Sequence, residues 1–168
     1  MPQKPNPKSS CSQTVLSQSI QRSKSLDLGA LGEELVAQWL QERGWQLLEQ
    51  RWHCRWGELD LVIAQADPAN PVRLLSVAFV EVKTRSRGNW DANGSLAITL
   101  QKQVKLWKTA QLFLAAHPHL AELPCRFDVA LVTCSPTQAG TSITGEASIV
   151  QANYRLILQD YIMAAFTL

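Results

Sequence analysis

Long apolar runs are missing from this 168-residue chain, and nowhere do the ~18–20 consecutive apolar residues needed to span a bilayer occur. The first 25 residues also lack the 7–15-residue apolar stretch of a secretory signal, so the expectation is a cytoplasmic protein. Closely spaced cysteines are absent too. Cys11, Cys54, Cys125 and Cys134 stand far apart with no CxxC pair, which excludes the usual ligand spacing of structural zinc and argues against a disulfide-stapled scaffold. Free or buried thiols are the expectation. His53 beside Cys54 has no second pair to complete a metal site. A strong charge of either sign is likewise missing. The net charge is +2, and Lys4, Lys8, Arg22 and Lys24 lie in the first 25 residues, which hold no acid. Of 16 basic residues, 12 therefore remain against all 14 acids in the rest of the chain. A globally basic surface, the simplest footprint of a nucleic-acid binder, is excluded. Only local clustering is left: Arg51, Arg55, Lys83, Arg85, Arg87, Lys102, Lys105 and Lys108 share one central stretch, although any one of them alone reads as an ordinary solvated charge.

What is present is enough apolar sequence for one folded domain, expected over residues 26–168. Residues 1–25, rich in Ser, Gln, Pro and Lys, cannot bury enough surface to offset their conformational entropy and read as a disordered basic tail. From Asp27 the pattern changes. Leu28, Leu31, Leu35, Val36, Trp39 and Leu40 recur at helical spacing, with Asp27 as N-cap and Gly44 as stop. Glu33 falls at the border of that apolar stripe, about 100° from its centre; taken by itself it is one more solvated glutamate. Three strands follow, at Trp45–Trp52, Glu58–Ile63 and Leu74–Thr84, the last two joined by a turn through Asp67–Pro71. A helix is expected over Leu96–Ala116, with Leu100, Val104, Trp107, Leu112 and Leu114 available for burial, and ended by His117-Pro118. Arg126–Thr133 reads as a buried strand and Ser135–Gly145 as a polar loop. In the last segment, Ile149–Leu158 reads as a strand and Gln159–Phe166 as a short helix.

The chemistry sits on two of these strands. Side chains alternate across a strand, so Glu81 and Lys83 share a face opposite Val80 and Val82, and Glu58 and Asp60 share a face opposite Leu59, Leu61 and Ile63. Charge is thus expected along one side of both strands and apolar residues along the other. Pairing Asp60 with Glu81 centres the hairpin between Asn70 and Pro71, inside the turn already assigned, and a one-residue slip would invert the faces. Two carboxylates on adjacent strands repel, so they call for a cation. Oxygen ligands from Asp60 and Glu81, joined by the Val82 carbonyl, suit Mg²⁺ (or Mn²⁺), which keeps several waters and shares its shell with phosphate. Lys83 on the same face puts positive charge beside the attacking water, and Glu33 supplies a further carboxylate to the metal or through a water. Together these groups describe metal-assisted hydrolysis of a phosphodiester. An ExK triplet alone is close to worthless as a signal; its conjunction with an upstream helical Glu, a hairpin Asp and a following basic helix is not.

Those residues resemble the restriction-endonuclease-like PD-(D/E)xK superfamily, and more closely the YraN-type family of uncharacterised bacterial proteins, related to archaeal Holliday-junction resolvases. The matching segments are Gly29–Glu34 through Arg43-Gly44-Trp45, Arg55–Val62, Phe79–Arg85, Ala97-Ile98-Thr99 with Lys102, and Arg126–Val129. The resemblance implies an α/β fold with a mixed sheet flanked by helices and a site at one end. It implies acidic ligands at Asp60 and Glu81, the lysine at Lys83, the helix glutamate at Glu33 and a phosphate contact at Lys102. DNA, branched or structured, is the implied substrate and a homodimer the implied assembly. Arg55, Arg85, Arg87, Lys102 and Lys105 are the expected nucleic-acid contacts. Two other functions compete: a nucleic-acid-binding module of the same fold that does not cut, and a protein-interaction scaffold using the tail and the C-terminal segment. Asp128, inside an apolar strand, is expected to be held by a structural hydrogen bond or ion pair rather than to act in catalysis. Trp39 and Trp107 are expected on helix core faces, whereas Trp52, Trp56 and Trp90 could stack on bases, although packing is the commoner fate.

Overall fold

A computed structural model describes residues 27–86, 98–137, 145, 147–151 and 153–167. The expected tail, Arg87, Trp90, Ala97 and most of the polar loop lie outside the described residues. The element order is α1 (Leu28–Gln41), β1 (Trp45–Cys54), β2 (Gly57–Asp67), β3 (Asn70–Ser86), α2 (Leu100–Ala116), a single 3₁₀ turn at Pro118–Leu120, β4 (Cys125–Pro136), β5 (Ala147–Gln151) and β6 (Tyr154–Phe166). One six-stranded mixed sheet, ordered β1-β2-β3-β4-β6-β5, joins them. Only β3 and β4 run parallel, with α2 in the crossover between them; every other neighbour pair is antiparallel. The chain is an α/β protein, as its element pattern implies.

Each helix covers one face of the sheet. Under α1, Leu31, Leu35, Val36 and Leu40 pack on Leu61, Ile63, Ala78, Val80, Ala130 and Val132. Under α2, Leu106, Ala110 and Phe113 pack on Val62, Phe79, Phe127 and Val129. The helix start at Asp27 is set by its Oδ1, which accepts the Ala30 N–H at 3.1 Å. Gly44 ends the first helix with a φ of +84°, a backbone conformation glycine adopts at little cost. At Gly32 a Cβ would overlap the Thr84 hydroxyl, so α1 lies against β3 more closely than any other residue there would permit.

Several expectations need correction. Charge does not line one whole face of β2 and β3: both faces are apolar mid-strand because a helix covers each, and the charged residues gather at one end. The two-residue alternation also breaks between Leu59, which packs on the α2 side, and Leu61, which packs on the α1 side. There the pairs Gln50–Leu61 and Trp52–Leu59 keep one register, and Arg51, between them and opposite Asp60, is left-handed with φ +56°. A left-handed residue kinks its strand. The hairpin turn is tighter than its composition implies, because β2 runs to Asp67 and β3 starts at Asn70. The expected register nevertheless governs the pairs from Leu61–Val80 to Gln65–Ser76, and irregularities at Gln65–Asp67 absorb the difference.

The second helix starts at Leu100, not Leu96, and its buried residues are Leu106, Thr109, Ala110 and Phe113. Leu100, Val104 and Trp107 face solvent instead, so Trp107 is not a core residue. With apolar residues distributed around its circumference, α2 has an ambiguous apolar stripe, and contact with the sheet selects its phase. Residues 159–166 continue β6 rather than forming a helix, since Asp160, Tyr161 and Ile162 pair with β4. Pairing of the strand with its neighbour outweighs local preference.

Candidate active site

Acids and lysines from four elements converge where β2 begins and β3 ends. Asp60 lies one step beyond the pair Leu61–Val80. Its Oδ2 accepts the backbone N–H of Val82 at 2.7 Å, so a carboxylate stands where a β2 carbonyl would otherwise receive that donor. Asp60 is half-buried rather than turned into the apolar interior. Burial, then the neighbouring charge of Glu81, pushes its pKa up to about 6, against the opposing pull of the Val82 N–H, Lys102 and Lys83.

Glu81 is 4% exposed. Its Oε1 receives Lys83 Nζ at 2.6 Å and Lys102 Nζ at 3.1 Å, two ammonium groups on one oxygen. Its Oε2 is buried with no hydrogen-bond partner. Leaving a charged acceptor buried and unmet costs free energy, and such an atom in a native site calls for a ligand or a function. Lys83 comes from the same face of β3. Lys102 comes from the first turn of α2, which Thr99 caps by accepting the Lys102 N–H at 3.3 Å.

Glu33, on α1, is 6% exposed rather than solvated. Burial and then the charge on Asp60 push its pKa up to about 7, while Arg51 pulls the other way. Arg51 Nε stands 3.0 Å from Glu33 Oε2, a charge contact outside hydrogen-bonding geometry, since that oxygen has no hydrogen-bond partner. The same guanidinium reaches Asp27 at 3.1 Å and Glu58 at 3.6 Å, and the Glu58 carboxylate lies 3.1 Å from His53 Nε2. Arg51 thus clamps the start of α1 to the site.

Asp60, Glu81, Lys83 and Lys102 are therefore brought together, and Glu33 is near enough to feel the charge of Asp60 but is engaged with Arg51. Among the described residues no group of three or more His, Cys, Asp or Glu side chains is arranged to hold a metal ion. The pair Asp60 and Glu81 is the donor set on offer, and the engaged atom of Val82 is its N–H. Of the expected nucleic-acid contacts, Lys102 belongs to the site itself. Arg55 lies over the Trp56 ring at the β1–β2 turn, 5.5 Å from its centroid, Lys105 is exposed on α2, and Arg85 is exposed near the end of β3. Arg51 was not legible as a site residue, because nothing in its sequence context signals a left-handed backbone. The hold of Lys102 on Glu81 was also missed: its spacing marks a helix position, not a reach across the sheet. Asp128 is structural, as expected. Arg126 Nε donates to both its oxygens at 3.0 and 3.1 Å, Tyr161 OH donates at 2.8 Å and the Ala164 N–H at 2.9 Å.

Comparison with known proteins places relatives beside this geometry. The family described as "Uncharacterised protein family UPF0102" matches residues 32–132, a span that contains Glu33, Asp60, Glu81, Lys83 and Lys102. A UPF0102 protein of Acaryochloris marina is 50% identical, over 88% of this chain and 94% of that protein. One from Trichodesmium erythraeum is 47% identical over 86% and 91%, and one from Trichormus variabilis 51% identical over 84% and 95%. No helix among the described residues is long and apolar enough to cross a membrane.

Proposed function

The chain belongs to the UPF0102 family, the YraN-type family of uncharacterised proteins, and from that premise we propose that it is a Mg²⁺-dependent nuclease of the PD-(D/E)xK type that hydrolyses phosphodiester bonds of DNA, branched or structured. The observation that carries this reading is the buried Glu81 Oε2 without a partner, next to Asp60, whose own ionisation Glu81 opposes. Mg²⁺ needs only one or two protein carboxylates and fills the rest of its shell with water and phosphate, so the pair fits it without a third acid. Mn²⁺ suits the same oxygens. An ion held there would supply Lewis acidity toward a phosphoryl oxygen and a more acidic water.

The residues of the chain do the rest. Asp60 and Glu81 would hold the ion through their carboxylates. Lys83 faces the same space and stabilises negative charge developing on phosphorus, and Lys102, released from Glu81, binds a phosphate oxygen. Glu33, with a pKa of about 7, accepts a proton from the attacking water at neutral pH. A second copy of the chain is the expected partner where both strands of a junction are cut.

Cleavage of a DNA junction or duplex that requires Mg²⁺ or Mn²⁺, stops with EDTA, and is lost in Asp60→Ala and Lys83→Ala while binding persists is the expected outcome. Retained cleavage in those variants, still folded, would overturn the assignment. A module that binds nucleic acid without cutting is favoured by one observation, the two lysines that already neutralise Glu81. It predicts salt-sensitive binding with no turnover under either metal.

A further inference from the structure

The described tryptophans have distinct surroundings. Trp39 is buried on the inner face of α1, and Trp52 packs edge-on against Phe113 with 5.4 Å between ring centroids. Trp56 is 42% exposed at the turn between β1 and β2. Lys108 Nζ lies 4.6 Å and Arg55 Cζ 5.5 Å from its ring centroid. The indole is therefore not a core side chain, and part of its ring stays open between two cations.

Its position relates it to the site. Gly57, next in the chain, abuts Thr109 of α2, so the turn rests on the helix whose first turn sends Lys102 to Glu81. Six residues separate Lys102 from Lys108, about 9 Å along the helix axis and about 120° around it, so α2 joins the Trp56 turn to the acidic site. From Leu100 to Ala116 the helix carries three lysines and no acid. That charge complements a phosphate chain and would repel the α2 of a second copy. The exposed Val104 and Trp107 add apolar surface for sugars and bases.

Resting on the nuclease reading, we infer that Trp56, with Arg55 and Lys108, is a stacking platform for an unpaired nucleotide, so that the preferred substrate carries a single-stranded segment beside the bond to be cut. Aromatic side chains stack on bases only where a base face is free, as in single strands, loops and ends. Inside an intact duplex each base face is covered by its neighbours. The incoming base takes the ring face held by the exposed Arg55, and the displaced guanidinium meets the phosphate that arrives with it.

The test uses the full chain in EDTA, so that binding is read without cleavage, by fluorescence anisotropy on two probes: a blunt DNA duplex and the same duplex with an oligothymidylate overhang. The wild-type chain is expected to prefer the overhang. Trp56→Ala should weaken overhang binding about tenfold while shifting blunt-duplex binding less than about twofold, and Trp56→Phe should keep most of the preference. Lys108→Ala, which leaves the indole in place, should weaken the overhang complex by a smaller factor. Unchanged overhang binding in Trp56→Ala, or an equal loss on both probes with the thermal melt unaltered, would overturn the platform. A wild-type chain that cuts DNA but is indifferent to Trp56 overturns this inference alone. A chain that grips the overhang through Trp56 but never cuts with Mg²⁺ or Mn²⁺ overturns the nuclease reading and leaves the platform standing. A chain that binds neither probe overturns both.

Discussion

Two buried acidic centres lie among the described residues, and they are built in opposite ways. Around Asp128, between β4 and β6, a fully buried carboxylate receives a two-pronged contact from Arg126, a hydroxyl from Tyr161 and a backbone N–H from Ala164. Ala164 adopts φ +47° to deliver that N–H. One Arg126 terminal nitrogen, Nη2, is left over, and its guanidinium lies over the Trp45 ring, 5.0 Å from the centroid. Burial and the nearby Asp128 push the Tyr161 hydroxyl well above its usual pKa, so it remains a donor. Around Asp60, Glu81 and Glu33 the acids instead face one another. One oxygen of Glu81 and one of Glu33 lack hydrogen-bond partners, and burial and mutual repulsion raise the pKa values of Asp60 and Glu33. In the first centre both oxygens of the acid are met by the protein itself, and the network fastens two strands. The second is incomplete in a way that a divalent cation and a phosphate would relieve.

Removing one partner from each centre separates the two designs. The largest stability effect is expected from Asp128→Ala, which takes the counter-charge from half-buried Arg126 and the acceptor from the Tyr161 hydroxyl and costs about 3 kcal/mol; chemical denaturation measures it, and a cost below about 1 kcal/mol would mean the network is not structural. Lys83→Ala should leave the melting temperature nearly unchanged but lower cleavage by about 10²–10³-fold, the reverse pattern.

The comparison sharpens with pH. Glu33 and Asp60 have folded-state pKa values of about 7 and about 6, above ordinary values of 4.5 and 3.8. Both states are protonated below about pH 4. As the pH rises to about 7 the unfolded chain releases these protons first, so stability falls across that window. Without metal, the fold should be about 2 kcal/mol less stable at pH 8 than at pH 5 on account of these groups, and Mg²⁺ should raise the melting temperature more at pH 8 than at pH 5. Glu33→Gln should flatten the profile and stabilise the chain at pH 8 by about 1 kcal/mol, because the half-exposed Arg51 loses only a solvent-screened contact. A profile unchanged by Glu33→Gln would remove that residue from the account. The smallest effect concerns placement. Gly32→Ala should push α1 off Thr84 at a cost of about 1 kcal/mol or more, and Thr84→Ala in the same chain should return part of it.

Much of this was legible in the sequence, for identifiable reasons. The α1 cap at Asp27, the stop at Gly44 and the register of β2 on β3 that brings Asp60 beside Glu81 all follow from local patterns. A register error there would have inverted the faces of β2 and β3, and the turn composition excluded it. The phase of α2 was not legible, because Leu100, Val104 and Trp107 make as regular a stripe as the residues that are buried, and only the sheet distinguishes them. The strand at 159–166 was hidden for a similar reason: its partner is β4, more than twenty residues earlier. Arg51 and the double hold on Glu81 depend on a backbone kink and on side chains reaching across elements, which spacing along the chain does not encode.

The central claim is that Asp60 and Glu81 form a divalent-cation site. It is tested most directly by soaking crystals of the protein in Mn²⁺ at pH 8 and recording anomalous scattering. A peak between the Asp60 carboxylate and Glu81 Oε2, with Lys83 and Lys102 moved away from Glu81, is the predicted result. Ordered Asp60 and Glu81 side chains with no peak between them, and Glu81 still held by both lysines, would contradict it.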